Sequence, residues 1–169
     1  MHHYESPLGG ITLGSDGKAL IGLWFDGQKY FGDTLRESWE EKKLPIFEET
    51  DQWLNIYFSG KAPEFTPKLA MRTTVFRKMV WEIMLGIPFG QTMTYSQIAR
   101  TAAQRMGIPR MSAQAVGGAV GHNALSLIIP CHRVVGTDGS LTGYAGGIER
   151  KNKLLEMEGV DTSALRFQK

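Results

Sequence analysis

The sequence predicts an α+β protein of two parts, a small mixed N-terminal unit at residues 1–70 and a mainly helical C-terminal domain at residues 71–169. Near the N-terminus, apolar segments alternate with Gly-rich turns, which is typical of antiparallel strands. After residue 74, apolar pairs recur every four residues, which is typical of an amphipathic helix. Between the two, "GKAPEFTPKLAMR" at residues 60–72 has two prolines and few periodic apolar residues, which indicates a linker.

The N-terminal unit is predicted to combine a small sheet with a helix. Residues 4–27 alternate apolar segments with the turns Pro-Leu-Gly-Gly and Ser-Asp-Gly-Lys, which indicates two or three antiparallel strands. A weak pattern around Glu37 indicates one helix. A clearer helix is predicted from about Phe47 to Phe58, where large apolar residues share a face and Gly60 provides the stop.

The C-terminal half opens with a core helix. Thr73 or Thr74 can cap its start, and Gly86 can end it. Its apolar pairs follow the helical repeat and predict one buried face: Val75/Phe76, Met79/Val80 and Ile83/Met84.

Two short helices follow, joined by the basic loop "QRMGIPR". Thr94 and Gln97 form a T-x-x-Q capping box that opens a helix from Tyr95 to about Ala103. Ser112 caps the next helix, which runs from Ala113 to about Gly121. The pair is compatible with a helix-turn-helix, although many plain helix pairs share this pattern.

Gly117 and Gly118 lie inside the second short helix, where a glycine costs roughly 1 kcal/mol relative to alanine. One interpretation is that another helix crosses closely at these glycines, which base rates favour. The other is that a thin helix fits a narrow groove.

Composition limits the classes of protein that are possible. The chain has 169 residues and 42% hydrophobic content, which is enough for a core without disulfides, and its one cysteine excludes an internal disulfide. No apolar run approaches the roughly 18 residues of a membrane span. Because the N-terminus lacks the pattern of a signal peptide, we expect a cytoplasmic protein.

Charge is unevenly distributed along the chain. Residues 1–70 carry 7 Lys and Arg against 11 Asp and Glu, whereas residues 71–169 carry 12 against 6. Between Glu82 and Asp138 there is no acidic residue at all. Such a stretch suits a surface that faces a polyanion, because a carboxylate there would repel phosphates. A neutral core segment of small residues would look the same.

The only cysteine lies in "LIIPCHRVVG", residues 127–136. A lone cysteine is usually a small buried hydrophobe, and the preceding "LSLII" is typical of a buried strand. Three features favour a functional thiol instead. Pro130 ends regular strand pairing, His132 and Arg133 would lower the pKa of the thiol, and a glycine-rich loop carrying Tyr144 follows.

The geometry of an extended chain constrains how the cysteine is activated. If Cys131 and His132 are extended, their side chains point to opposite faces, so a bridging water would have to connect them. His132 would then need a carboxylate to orient it. The better candidate is Glu158, at the end of the last predicted helix, "IERKNKLLEMEG", where exposure would be the ordinary expectation.

The segment "IPCHRVVGTDGSLTGYAGG", together with "MTYSQIA", "AVGGAVGHN" and "LLEMEG", resembles the O6-alkylguanine-DNA alkyltransferase (methylated-DNA-protein-cysteine methyltransferase) family. The resemblance covers essentially all of residues 71–169, and the Pro-Cys-His-Arg core is highly specific. Residues 1–70 fit the family's ribonuclease H-like N-terminal domain by size and position only.

The resemblance implies catalytic roles for five residues. Cys131 would accept the alkyl group, activated through water by His132, which Glu158 would hold. Asn123 would tie the helix-turn-helix to the active-site loop. Tyr144 would donate a proton to the departing guanine.

The resemblance also implies a DNA-binding surface. Tyr95 would press on the phosphate beside the lesion and rotate the nucleotide outward, and the helix capped by Ser112 would lie in the minor groove. The further residues implied to contact DNA or the extruded base are Arg110, Gln114, Ala115, Gly117, Gly118, Arg133, Val134, Ala145 and Gly146.

Three positions depart from the family's pattern. Gln114 replaces the arginine that fills the space left by the extruded nucleotide, so charge and stacking area are lost. Ala124 replaces a proline after Asn123, which makes that loop less rigid. Ala145 replaces a serine found in some members and enlarges the pocket slightly, which favours alkyl groups larger than methyl.

The resemblance therefore implies stoichiometric repair of O6-alkylguanine, and of O4-alkylthymine, in duplex DNA by a monomer that needs no cofactor and no metal. An alternative is a non-catalytic module that binds alkylated bases and flags lesions for other repair factors, although relatives of that kind lack the cysteine. A cysteine hydrolase built on Cys131, His132 and Glu158 is a more remote alternative.

Overall fold

The computed structural model describes residues 1–35, 38–141 and 143–167, and the predicted α+β class is confirmed. The helix expected around Glu37 falls outside these residues. Contacts divide the chain into two compact units. The first consists of Met1–Arg72 and Ala124–Ser126, and the second consists of Thr73–Asn123 and Leu127–Lys169.

The first unit contains a three-stranded antiparallel sheet, as the turn spacing predicts. Its strands β1 (His2–Ser6), β2 (Gly9–Ser15) and β3 (Leu20–Phe25) lie in that order. Every residue of β3 is buried. A strand that is buried on both faces reads as a continuous apolar run, and "LIGLWF" has that pattern.

One helix accompanies the sheet. It is α1 (Pro45–Phe58), which begins two residues before the predicted start because Pro45 suits the first helical turn. Gly60 follows the helix with φ of +89°, a conformation that glycine adopts freely. The helix lies against the sheet through contacts that include the stacked rings of His2 and Phe47, 5.4 Å apart.

The predicted linker at residues 60–72 contains no helix or strand, but part of it is paired. Leu69 forms a parallel bridge with Leu20 at the start of β3. The Leu20 N–H donates to the Lys68 carbonyl at 2.8 Å, and the Ala70 N–H donates to the Leu20 carbonyl at 2.9 Å. This segment therefore closes the edge of the sheet as well as leading out of the unit.

The second unit opens with the predicted core helix, α2 (Val75–Leu85). The Thr74 hydroxyl caps it by accepting a hydrogen bond from the Arg77 N–H, and Gly86 ends it. Its buried residues include Val80, Ile83 and Met84 of the predicted face, together with Trp81, which the apolar pairs did not include. The burial predicted for Val75 is wrong, because this first residue of the helix is 90% exposed.

The two predicted short helices are α3 (Tyr95–Met106) and α4 (Ala113–Gly121). Both halves of the capping box between Thr94 and Gln97 are formed, and Ser112 caps α4 by accepting from the Ala115 N–H. Helix α3 is three residues longer than predicted. The helices pack against each other and against α2.

The prediction of a buried strand before the cysteine is wrong. Leu125 forms an isolated bridge to Leu23 in place of a strand. The Leu23 N–H donates to the Ala124 carbonyl, and the Leu23 carbonyl accepts from the Ser126 N–H. The chain then turns at Leu127, which has a left-handed φ of +71°. One bridge satisfies the local backbone, and the turn prevents the ladder from continuing.

Short parallel pairings and a helix complete the second unit. Strand β4 (Met93–Thr94) pairs with β5 (Val134–Val135), which brings the start of α3 beside the segment after the cysteine. Strand β6 (Ser140–Leu141) pairs with β7 (Arg166–Phe167). Helix α5 (Ile148–Met157) lies between β6 and β7 in sequence.

Candidate active site

Cys131 is the first residue of a short 3-10 helix, Cys131–Arg133, and is only 4% exposed. Pro130 has φ of −81° and ψ of 67°, and the Cys131 N–H donates to the Ile129 carbonyl at 2.8 Å, which forms an inverse γ-turn. The Arg133 N–H then donates to the Pro130 carbonyl at 2.9 Å. The extended conformation considered for Cys131 and His132 is therefore wrong, because the proline turns the chain immediately before the sulfur.

His132 and Glu158 form the predicted pair. His132 Nε2 lies 2.5 Å from Glu158 Oε2, and neither side chain is exposed. Glu158 follows the last residue of α5, where burial replaces the exposure that its position at the helix end would ordinarily give. The final turn of α5 thus carries the carboxylate to the histidine.

The protonation states of this pair follow from its surroundings. Burial acts to raise the pKa of Glu158, but hydrogen bonds and positive charge from His132 and Arg133 lower it to about 2. Burial lowers the pKa of His132, against the raising effect of Glu158. At neutral pH an ionised Glu158 therefore accepts a hydrogen bond from Nε2–H of a neutral imidazole, whose basic nitrogen is Nδ1.

Arg133 belongs to the same network. Its guanidinium is buried, and Nε donates to Glu158 Oε1 at 2.7 Å while Nη1 donates to the Ile87 carbonyl at 2.7 Å. These contacts do not support the DNA contact expected at Arg133, because they direct two of its donors into the protein.

The thiol is not held as a thiolate in this state. Burial raises the pKa of Cys131, although a hydrogen bond from Asn123 and the positive charge of Lys151 act to lower it. The expectation that His132 and Arg133 lower the thiol pKa is therefore wrong. Desolvation of the sulfur outweighs the nearby charges.

Asn123 connects α4 to the cysteine segment. Its N–H donates to the Val120 carbonyl at 3.2 Å, and its side-chain Nδ2 donates to the Ile129 carbonyl at 2.8 Å. Together with its hydrogen bond to Cys131, these contacts fix the backbone on the N-terminal side of the sulfur.

Lys151 is a site residue that the sequence reasoning missed. It is fully buried in α5, and its Nζ donates to the Val134 carbonyl at 2.5 Å. Burial lowers its pKa to about 8, while Cys131 acts to raise it. The signal was present in the sequence, because Lys151 shares the helical spacing of Leu154, Leu155 and Glu158 on the buried face of α5.

Tyr144 places a hydroxyl in the protein interior. Within the described ranges, that hydroxyl is buried and has no hydrogen-bond partner. Burial, assisted by the charge of Cys131, raises its pKa well above 10, so it stays protonated and can donate. The next residues form a turn in which the Gly147 N–H donates to the Tyr144 carbonyl, and Ala145 and Gly146 are partly exposed.

Val134 presents only its backbone to the site. Its side chain is fully buried, and its carbonyl accepts from Lys151. The implied base contact at Val134 could therefore involve only main-chain atoms.

The helix-turn-helix face carries the other predicted DNA contacts. Ser112, Gln114 and Ala115 are exposed at the start of α4, Arg110 is exposed before it, and Tyr95 is partly exposed at the first position of α3. A hydrogen bond of 2.7 Å between the hydroxyls of Ser96 and Thr137 joins α3 to the loop after β5. Of the four arginines in the acid-free stretch, three are exposed and one is buried: Arg100, Arg105 and Arg110, and Arg133.

The two glycines of α4 are not required by packing. Among the residues that the structure describes, and apart from the neighbouring backbone of α4 itself, no atom lies within 4 Å of a Cβ built at Gly117 or Gly118. The interpretation that another helix crosses closely at these residues is therefore wrong. An α4 surface without side chains at these two positions remains compatible with a narrow groove.

Metal ligation and membrane spanning have no support in the residues that the structure describes. Across these ranges, no group of three or more His, Cys, Asp or Glu side chains could hold a metal ion. Of the helices described, none is both long enough and apolar enough to cross a bilayer.

Two family models match the chain. The one described as "6-O-methylguanine DNA methyltransferase, DNA binding domain" matches residues 75–160, and "6-O-methylguanine DNA methyltransferase, ribonuclease-like domain" matches residues 1–71. The chain belongs to the 6-O-methylguanine DNA methyltransferase family. The implied ribonuclease-like character of the N-terminal part is thereby confirmed.

Individual relatives agree with this assignment. A methylated-DNA–protein-cysteine methyltransferase of Mycobacterium bovis is 43% identical over 161 residues, covering 94% of this chain and 93% of the relative. One of Methanosarcina acetivorans is 41% identical, covering 92% and 96%. The crystal structure of Mycobacterium tuberculosis OGT in complex with DNA is 42% identical, covers 92% of this chain and 90% of that chain, and has a TM-score of 0.79.

Proposed function

We propose that this protein repairs O6-alkylguanine, and O4-alkylthymine, in duplex DNA by transferring the alkyl group to Sγ of Cys131. The S–C bond that forms replaces the C–O bond that breaks, so the sulfur becomes a thioether. A thioether leaves no nucleophile for a second cycle, and each molecule acts once. Because the substrate is duplex DNA, we expect the protein to act where DNA is found, in the cytoplasm or nucleoid.

The observation that carries this proposal is the buried arrangement of Cys131, His132 and Glu158 on one unit with the helix pair α3 and α4. Because burial favours the neutral thiol, Cys131 must lose its proton when the substrate binds. His132 Nδ1 accepts that proton through a bridging water, and the ionised Glu158 stabilises the resulting imidazolium. Lys151 adds positive charge that favours the thiolate.

Departure of the guanine requires a proton donor. The buried Tyr144 hydroxyl is protonated at neutral pH and donates its proton to the departing purine. It regains a proton from the His132 imidazolium through solvent, so the thiol proton ends on the base. Main-chain N–H groups at Ala145 and Gly146 would receive the O6 oxygen. Because Cys131 is only 4% exposed, the sulfur has to become more accessible before an extruded base can reach it.

Binding to DNA is assigned to the exposed helix pair. The thin face of α4 at Gly117 and Gly118 would enter the minor groove, and Gln114 would occupy the space left by the extruded nucleotide. Tyr95 would press on the neighbouring phosphate. Extrusion is necessary because a stacked base hides its O6 substituent from a thiol.

A titration tests the proposal. The protein is incubated with duplex DNA that carries one radiolabelled O6-methylguanine, and the label on Cys131 is counted by peptide mapping. We expect one methyl group per protein and none in Cys131→Ser, which should still bind the lesion. Absence of label from wild-type Cys131, with lesion binding retained, would instead identify a non-catalytic lesion-binding module.

A further inference from the structure

The turn between α2 and β4 contacts the Glu158 carboxylate from outside the Cys-His-Glu set. The Gly90 N–H donates to Glu158 Oε1 at 2.9 Å. Gly90 has φ of +80°, and a Cβ there would lie 3.1 Å from the Glu158 carbonyl oxygen. Glycine at this position therefore permits both the turn and its close approach to the end of α5.

Arg133 connects the same turn to the same carboxylate. Its Nε donates to Glu158 Oε1 at 2.7 Å, and its Nη1 donates to the Ile87 carbonyl at 2.7 Å. The guanidinium also lies over the Phe89 ring, 5.7 Å from the ring centroid. The planar guanidinium of Arg133 thus contacts Glu158 and Ile87 through its edges and Phe89 through one face.

These contacts leave the carboxylate with a single orientation. Oε1 accepts from Gly90 and Arg133, while Oε2 faces His132 Nε2. The side chains of Glu158 and His132 are unexposed, and that of Arg133 is 9% exposed. Stability alone is a weak reason for such an arrangement, because apolar residues of similar volume often serve as well as a buried ion pair.

We propose that Arg133 and the turn Ile87–Gly90 form a positioning clamp that keeps the Glu158 carboxylate directed at His132 Nε2. The clamp thereby selects the imidazole tautomer whose basic nitrogen is Nδ1. This inference rests on the proposed alkyl transfer, in which His132 accepts the thiol proton. Arg133 touches no reacting atom, so it acts through Glu158 and His132.

The clamp also determines how the site responds to pH. The charged or titratable groups that influence the pair are Arg133, Lys151, Tyr144 and Cys131. The positive charge of Arg133 acts to lower the pKa of both Glu158 and His132. Removing the Arg133 charge therefore raises the pKa of Glu158 and the pKa of His132. In such a variant, His132 remains protonated, and so cannot act as a base, up to a higher pH than in the wild type.

Three variants separate geometry from charge. Arg133→Met removes both, Arg133→Lys keeps the charge but cannot reach Glu158 and Ile87 together, and Phe89→Leu removes only the ring under the guanidinium. Arg72→Lys, an exposed arginine in the first unit, is the matched control. Single-turnover methyl transfer is measured from pH 5 to 9, and lesion affinity is measured in the Cys131→Ser background.

We expect Arg133→Met to slow transfer about 100-fold at neutral pH and to move the acid limb of the profile to higher pH. Arg133→Lys should return the acid limb of the pH profile to its wild-type position, because the positive charge is kept. Its transfer should still be about ten-fold slower than wild type, because lysine cannot orient the Glu158 carboxylate as arginine does. Phe89→Leu should slow transfer about three-fold, and Arg72→Lys should match wild type. Lesion affinity should stay within about two-fold throughout.

Two results would overturn the clamp. One is a wild-type rate and profile in Arg133→Met. The other is loss of folded protein with an unchanged rate per folded molecule, which would make Arg133 purely structural. If neither Arg133 variant folds, an unchanged rate and profile in Phe89→Leu rejects the clamp. If wild type transfers no methyl group to Cys131, the proposed function itself fails.

Discussion

At the scale of single residues, the site combines a neutral nucleophile with a carboxylate that is ionised at neutral pH. Burial keeps Cys131 protonated, whereas His132 and Arg133 keep Glu158 charged. The protein thus keeps the Cys131 thiol in its unreactive, protonated form. The ionised Glu158 carboxylate stabilises the thiol proton once His132 has accepted it. Such a thiol is protected from solvent oxidants until the substrate arrives.

Glu158 links the site to stability at low pH. Its folded pKa of about 2 lies below its ordinary 4.5, so its stabilising contribution is present above pH 4.5 and is lost as pH falls towards 2. The contribution is on the order of 3 kcal/mol. We expect Glu158→Gln to lose less stability than wild type across this window, measured by urea unfolding at several pH values. Parallel curves would contradict this prediction.

The buried charge of Lys151 lowers the stability of the folded protein but favours the reactive thiolate of Cys131. Burial lowers its pKa to about 8, so folding disfavours its charge at neutral pH, and wild-type stability should rise as pH increases from 8 towards 10.5. We expect Lys151→Met to abolish that rise and to raise stability at pH 7 by about 1–3 kcal/mol. It should also slow methyl transfer about ten-fold, because the thiolate loses a nearby cation. Thermal unfolding and single-turnover rates measure the two effects, and a faster transfer would refute the second.

At the scale of elements, α4 contains two glycines, Gly117 and Gly118, that its packing within the protein does not require. In the described part of the chain, no atom outside the adjacent backbone of α4 lies within 4 Å of a Cβ at Gly117 or Gly118, and alanine is the better helix former. These two residues therefore weaken the helix without improving its contacts within the protein. This absence of close contacts is consistent with the proposed entry of α4 into a narrow groove of DNA.

Replacement of these glycines should separate folding from binding. We expect Gly117→Ala and Gly118→Ala each to stabilise the protein by up to about 1 kcal/mol. Each should also weaken DNA binding, because a methyl group would occupy space that a groove wall needs. Differential scanning calorimetry and DNA titrations in the Cys131→Ser background measure both, with Ala115→Gly as the opposite change. Unchanged affinity in both alanine variants would rule out close groove contact at these positions.

Some elements could be predicted because the necessary information is local. Thr94 with Gln97, and Ser112 with its helix, determine their caps within one turn. The cysteine segment could not be predicted so well, because it depends on residues distant in sequence. The Arg133 side chain is directed inward by Glu158 and Ile87, and the strand expected before the cysteine is replaced by one bridge to Leu23.

At the scale of the whole molecule, charge is divided between an acidic first part and a basic second part. The acid-free stretch between Glu82 and Asp138 exposes Arg100, Arg105 and Arg110. Long-range attraction to DNA should therefore be strong and sensitive to salt. The acidic part should remain in solution.

Salt dependence measures this attraction. We expect the logarithm of DNA affinity to fall linearly with the logarithm of salt concentration, and Arg110→Gln to reduce the slope by about 1 if it contacts one phosphate. Lys18→Gln, an exposed change in the acidic part, is the control. Fluorescence anisotropy at four salt concentrations gives both slopes, and equal slopes for Arg110→Gln and the control would remove Arg110 from the interface.

The bridge at Leu125 affects how the chain can be divided. Residues 124–126 belong to the first unit although they lie far along the sequence, between two stretches of the second. Cleavage near residue 72 would thus not release two independent halves. A fragment starting at residue 73 would leave the Ala124 carbonyl and the Ser126 amide without Leu23, their backbone partner. The N-terminal sheet therefore supplies the backbone partners of the segment that leads into the cysteine.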